Sequence, residues 1–192
     1  MENKTSQTIV YPVYQGLYVN LTNRCSCGCT FCIRRKASGV GSDGNGASNV
    51  LWLDHEPDFT EVMAAFDEQD MSRYNEVVFC GYGEPTCAFD VLKQVAAEVK
   101  RRYHLPTRIN TNGQGCLINK RDICPEFEGI IDTVSISLNT PNAEEYHRLV
   151  RSRFGEKSFD AMLDFARECT QYVPNVVMTT VDTTITKEEE EQ

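Results

Sequence analysis

Asn20-Leu-Thr-Asn-Arg-Cys25-Ser-Cys27-Gly-Cys29-Thr-Phe31-Cys32 sets how the rest of the chain is read. Four thiols within eight residues cannot all enter a packed core, and Ser26, Gly28 and Thr30 between them suit a tight loop, so a metal is the natural occupant. The run Leu17-Tyr-Val-Asn-Leu21 reads as a strand, which puts the cysteines just beyond its carboxyl end. Zinc and iron–sulfur clusters both take thiolates, so spacing must arbitrate. Structural zinc usually wants a second C-x2-C pair about a dozen or more residues away, and none follows. Cys80, Cys87, Cys116, Cys124 and Cys169 are dispersed, which weakens the zinc reading and argues against a second cluster.

Working outward, further apolar and β-branched runs lie at Val77–Phe79, Arg108–Asn110, Thr133–Leu138 and Val176–Thr180, five strands in all with the first. Between them, Phe89, Leu92, Val95, Ala96 and Val99 share a helical face in Ala88–Tyr103. Phe159, Met162, Leu163, Ala166 and Cys169 do the same in Ser158–Tyr172, with Ser158 suited to cap that helix, and a weaker pattern covers Thr60–Gln69. Strands alternating with helices predict an α/β fold with parallel strands, either an open sheet or part of a (β/α) barrel. In both, chemistry gathers in the loops at the carboxyl ends of the strands.

The 192 residues read as one domain, with a Gly-rich insertion over 33–58 and an acidic tail over 186–192. Thr186-Lys-Glu-Glu189 has the form of a capping box for a helix the chain does not finish, so the tail is either frayed or the stub of a closing helix and strand. A net charge of -9 works against sequence-independent nucleic-acid binding, and no apolar run is long enough to span a membrane. The polar start MENKTSQ lacks a secretory pattern, which places the chain in the cytoplasm, where cysteines serve as thiols or metal ligands.

Taking Cys25, Cys29 and Cys32 gives C-x3-C-x2-C with the aromatic Phe31 before the last cysteine. Three other strand-end motifs follow in order: Gly81-Tyr-Gly83-Glu84-Pro85, Asn110-Thr-Asn112-Gly113 and Ser135-Ile-Ser137-Leu-Asn139. With these motifs the sequence resembles the radical S-adenosylmethionine (SAM) superfamily over about Leu17–Thr180. The flanking residues look like its small TatD-associated members, whose pattern the extra Cys27 also fits. The resemblance departs at Tyr82, which separates two glycines that are adjacent in the family motif. It implies a partial (β/α) barrel and a 4Fe-4S cluster on Cys25, Cys29 and Cys32 whose open iron chelates SAM. It also implies reductive cleavage of SAM to a 5'-deoxyadenosyl radical that takes hydrogen from a substrate the resemblance does not identify. Phe31, Gly83, Glu84, Asn112, Ser135, Ser137 and Asn139 are the implied SAM contacts. An external one-electron donor such as flavodoxin or ferredoxin and a link to a TatD-like hydrolase are the implied partners.

Arg24, Arg34, Arg35 and Lys36 flank the cysteine loop, and His147, Arg148, Arg151 and Arg153 form a second basic stretch; either group is a candidate for an anionic ligand. Cys27 is open between a role beside the cluster and none. Two other readings stay in view: a zinc or iron–sulfur module that binds a protein partner without catalysis, and a thiol redox protein using Cys29-Thr-Phe-Cys32. The Gly-rich insertion is a candidate cover for the site.

Overall fold

Leu17, Val19, Val77, Phe79, Ile109, Val134 and Ile136 are all fully buried, and along each strand they alternate with residues that face the other way. That period of two builds a sheet with one face pressed against helices. A computed structural model describes residues 7–35 and 51–181. Its six strands are β1 (Val10–Val13), β2 (Gly16–Val19), β3 (Glu76–Phe79), β4 (Thr107–Thr111), β5 (Thr133–Ser137) and β6 (Asn175–Thr179), paired in chain order. The pairings β2–β3, β3–β4, β4–β5 and β5–β6 are parallel, as the alternation of elements predicts. This is an α/β fold, and its mostly parallel six-stranded sheet is that of a partial (β/α) barrel.

The first strand pairing departs from expectation. β1 is an extra strand, antiparallel to β2 across a two-residue turn in which Tyr14 takes φ 51°. Pro12, which donates no amide hydrogen bond, is tolerated there because β1 lies at the sheet's edge.

The helices are α1 (Phe59–Asp67), α2 (Phe89–Tyr103), α3 (Gly115–Asn119), α4 (Ala143–Val150) and α5 (Lys157–Cys169). Asp58 caps α1 in a full capping box with Glu61. The predicted face of α2 is buried throughout, whereas α5 is turned slightly: Met162, Phe165 and Cys169 are buried and Phe159, Leu163 and Ala166 only flank the core. Ser158 is not the cap of α5. It sits in the first turn, buried, and donates to the Gly155 carbonyl at 2.6 Å. Phe89, Phe127 and Phe165 stack edge to face beneath the sheet at 5.7 and 6.2 Å. Each such ring, fully buried, contributes about 1.5–3 kcal/mol.

The other face of the sheet carries Tyr18, Arg108, Asn110, Ser135 and Ser137, all half-buried, with the fully buried Val78 in register between Tyr18 and Arg108. Arg108 lies across it, paired with Glu76 at 2.8 Å and within 3.3 Å of the Tyr18 hydroxyl. β6 is the far edge, with Val177 exposed. Most of the Gly-rich insertion, Lys36 and the acidic tail with its capping box lie outside the described residues.

Candidate functional site

The cysteine loop is fastened from the side by α4, a helix the sequence patterns did not announce. The last turn of any helix leaves carbonyls without intrahelical partners. Here the Gly28 amide donates to the Val150 and Arg151 carbonyls at 3.1 and 3.2 Å, and the Thr30 amide to Leu149 at 2.9 Å. Arg151 ends the helix at φ 50°, which turns the chain back so that the Arg153 amide reaches the Ser26 carbonyl at 2.9 Å and Ser152 bridges Cys27.

On the other side the loop meets the end of β3. A Cβ on Gly83 would lie 2.1 Å from the Thr22 carbonyl oxygen, and one on Gly81 would lie 2.1 Å from Asn20 Oδ1. Both glycines are therefore required by close approach of the Asn20–Arg24 segment, which the Glu84 amide then binds through the Arg24 carbonyl at 2.8 Å. Tyr82 between them is buried edge-on against Trp52, so the residue that interrupts the motif packs against the segment at 51–53, whose carbonyls Asn20 and Asn23 bind.

Glu84 is 4% exposed. Its Oε1 accepts from the Thr86 amide and hydroxyl and from the Thr111 hydroxyl at 2.7 Å, and its Oε2 from the Asn112 amide at 2.8 Å. Burial pushes this carboxyl above its ordinary range, against the pull of those donors. Its bonds tie the end of β3 to the end of β4. Oε2 has one partner among the described residues and the geometric capacity for a second donor.

The four thiols of the loop are not equivalent. Cys25, Cys29 and Cys32 are half-exposed, and Cys27 is buried. Cys27 Sγ receives Gln114 Nε2 at 3.3 Å and Asn112 Nδ2 at 3.4 Å. Gln114, 1% exposed, also donates to the Tyr146 hydroxyl at 3.0 Å and accepts from Ser26 and Ser152, each at 2.8 Å. The Cys25 thiol draws the Cys27 thiol down, but Cys29 and burial push it up to about 12; the bond from Cys27 in turn lowers Cys29. Cys27 thus belongs to a satisfied polar floor beneath the loop. Gln114, Ser152 and Tyr146 were missed by sequence reasoning; the only trace was a Gln next to the Asn-Gly turn.

The other predicted residues divide. Asn112 turns its side chain to the cysteine loop, 3.0 Å from Ser26 Oγ, and Gly113 makes the expected turn at φ 74°. Phe31 is half-buried in the loop's turn. Ser135 and Ser137 lie on the open face of β5, Ser135 in register with Asn110. Asn139 does not continue their alternation: it lies beyond the strand, buried, at φ 60°, with its amide toward the Thr179 carbonyl. Of the basic residues, Arg24 is held by Glu56 in a two-toothed pair and by the Cys87 carbonyl, while Arg34 donates to the Asn23 carbonyl and approaches Cys32. Arg24, Arg34 and Arg153 line a cleft of about 570 Å³ that reaches Cys25 and Cys87.

Three half-exposed thiols with a fourth turned inward make a soft donor set with three members, which fits a 4Fe-4S cluster with one iron left open. A single closed zinc fits poorly. The one group of ligating side chains within single-ion spacing among the described residues lies elsewhere, and the loop's thiols are not in it.

The family model described as Radical SAM superfamily matches residues 19–192. The chain belongs to the radical SAM superfamily, a superfamily of enzymes. A radical SAM methyltransferase from Sphaerobacter thermophilus shares the fold at TM-score 0.62 and 16% identity, over 95% of this chain and 53% of that one. The structure of TYW1 with a lysine-pyruvate adduct bound matches at TM-score 0.54 and 12% identity, over 93% of this chain and 61% of that one. This radical SAM chain therefore spans about half to three-fifths of the length of those two. No curated protein matches the sequence. No helix among the described residues is long and apolar enough to cross a membrane.

Proposed function

We propose that this radical SAM chain holds a 4Fe-4S cluster on Cys25, Cys29 and Cys32 and binds SAM at the carboxyl ends of β3, β4 and β5. The observation that carries this reading is the division of the loop's thiols, three half-exposed and Cys27 buried and bonded into the floor. When bound, the pair supplies one-electron cleavage of SAM to methionine and a 5'-deoxyadenosyl radical that removes hydrogen from a substrate.

The chain's own residues orient and shield. Glu84 Oε2 and the backbone at Gly83 are the acceptors available to the methionine ammonium, and Phe31 offers an apolar face and its backbone to the adenine. Ser135, Ser137 and Asn139 supply hydroxyl and amide groups for the ribose and carboxylate. Asn112 acts from beneath, holding Ser26 and Cys27 so that the half-exposed thiols keep their spacing. Arg34, close to Cys32, offsets the anionic charge of a thiolate cluster.

The finer reading is a small TatD-associated radical SAM enzyme in the cytoplasm, reduced by flavodoxin or ferredoxin and linked to a TatD-like hydrolase. The residues Asn20–Arg24 and Phe79–Thr86 support it.

Anaerobic reconstitution with iron and sulfide, followed by electron paramagnetic resonance of the reduced protein, tests the proposal. The expected result is a 4Fe-4S signal that shifts on adding SAM, survives in Cys27→Ala and disappears in Cys29→Ala. A protein that takes up no cluster, or whose signal ignores SAM, overturns it and leaves a metal-binding module.

A further inference from the structure

Away from the cysteine loop, three of the dispersed cysteines meet. Cys116 lies in α3, Cys124 opens the helical turn Cys124–Phe127, and Cys169 is the last residue of α5. Cys116 Sγ is 3.9 Å from Cys124 Sγ and 3.5 Å from Asp122 Oδ1. Cys124 Sγ is 3.6 Å from Cys169 Sγ. The ligating atoms of Cys116, Asp122 and Cys124 all lie within 4.8 Å of one another.

A tetrahedral zinc with Zn–S of about 2.3 Å and Zn–O of about 2.0 Å has edges of roughly 3.8 Å between sulfurs and roughly 3.5 Å between sulfur and oxygen. The Cys116–Cys124 and Cys116–Asp122 separations fall on these two edges, whereas Cys169 touches the group through Cys124 alone. The backbone is arranged to match: Asp122 Oδ1 accepts the Cys124 amide at 2.9 Å, which fixes the carboxylate, and the Ile123 amide bonds the Cys116 sulfur. Cys124 and Cys169 are buried, Cys116 is half-buried and Asp122 is exposed, so a path from solvent exists on the Asp122 side.

We propose that Cys116, Asp122 and Cys124 bind a zinc ion whose fourth position opens to solvent on the Asp122 side, with the Cys169 thiol bonded to Cys124 from behind. Each ligating thiol gives its proton to solvent, and the metal keeps its oxidation state. The ion ties α3 to the segment that follows it. Because α3 begins directly after Gln114, whose side chain holds Ser26 and Cys27, the zinc braces the floor of the cysteine loop from behind.

The test keeps the two metal sites apart. The full chain carrying Cys25→Ala, Cys29→Ala and Cys32→Ala, expressed with added zinc and desalted, is analysed by mass spectrometry for bound metal. About one zinc per chain is expected, falling to near zero when Cys116→Ser is added. Cobalt(II) in the same protein should give the visible bands of tetrahedral coordination together with thiolate charge-transfer absorption, a readout that decides the matter if the Cys116→Ser variant does not fold. The proposal is overturned by protein that retains no zinc, by zinc that ignores Cys116→Ser, or by a Cys124–Cys169 disulfide in protein prepared without reductant. None of these outcomes bears on the cluster at Cys25, Cys29 and Cys32.

Discussion

At Gly83 the demand for a missing side chain is steric. Any Cβ there meets two backbone carbonyls, Thr22 at 2.1 Å and Arg24 at 2.7 Å, and neither can swing aside as a side chain would. Gly83→Ala should cost about 1–3 kcal/mol, a fall in melting temperature of roughly 2–4 °C per kcal/mol for a chain of this size, and reconstituted iron should drop with it. Equal stability and iron content in the variant would show that the loop has room to move. Gln114 presents the opposite case, a residue whose value lies in what it satisfies. Gln114→Leu would strand the Ser26 and Ser152 hydroxyls at a buried position and leave the Tyr146 hydroxyl without its donor. Each stranded group costs about 1–3 kcal/mol, so thermal unfolding should move by several degrees while Gln114→Glu, which keeps the acceptor oxygen, loses less. Gly83 was legible because its motif is local and its chemistry implies closeness of chains. Gln114 was not, since its partners come from positions 26, 27, 146 and 152, and no one-dimensional pattern brings those together.

Elements were legible where the period of burial was long and regular. α2 shows five buried residues on one stripe, and β3, β4 and β5 carry β-branched runs, so their places followed from the sequence. β1 was hidden by Pro12 and by a turn, Tyr14-Gln15, without the Asn-Gly signal of a hairpin. α4 is only Ala143–Val150, with two buried residues, too short for periodicity to speak, yet its carbonyl end is what anchors the cysteine loop. Opposite the site, Asp132 joins elements in the same economical way. Its carboxylate takes the Lys100 ammonium of α2 at 2.7 Å and the Thr107 amide of β4 at 2.7 Å, and its carbonyl takes the Asn175 amide of β6 at 3.1 Å. Burial alone would raise this carboxyl, but Lys100 and Thr107 hold it below the ordinary carboxylate range. A carboxyl depressed on folding stabilises the fold above its unfolded pKa and ceases to do so as pH falls through the folded value. Asp132→Asn should therefore cost about 1–3 kcal/mol at neutral pH, and the difference from wild type should close as the pH drops below 4 (a limit of about the free Asp value). Denaturant unfolding at a series of pH values measures it, and a gap that stayed constant down to acid would mean that charge at Asp132 contributes nothing.

On the scale of the whole molecule, a chain with net charge -9 gathers three guanidinium groups, Arg24, Arg34 and Arg153, around a cleft that ends at Cys25. Arg24 is neutralised by Glu56, which leaves Arg34 and Arg153 to set the sign of the local field. On an overall acidic protein, a basic patch favours one docking orientation of an acidic redox partner as well as attracting it. The cleft lies on the outer side of the loop, between the segment after β3 and the one after α4, whereas the expected SAM contacts Ser135 and Ser137 lie on the open face of the sheet. Electrons and substrate would then reach the cluster from different directions, and the two routes can be perturbed separately. Arg153 is the cleaner probe, because its side chain rests on the Phe154 ring and it holds the loop only through its backbone amide. Arg153→Glu should slow reduction of the reconstituted cluster by an acidic flavodoxin about 10-fold at low salt, with the difference shrinking as ionic strength rises and the Debye length falls below about 10 Å. Reduction by a small uncharged photoreductant should be unchanged, as should the shift of the resonance signal on adding SAM. Stopped-flow traces at several salt concentrations separate these outcomes. A rate that is insensitive to both salt and Arg153→Glu would place the electron's approach on another face of the molecule.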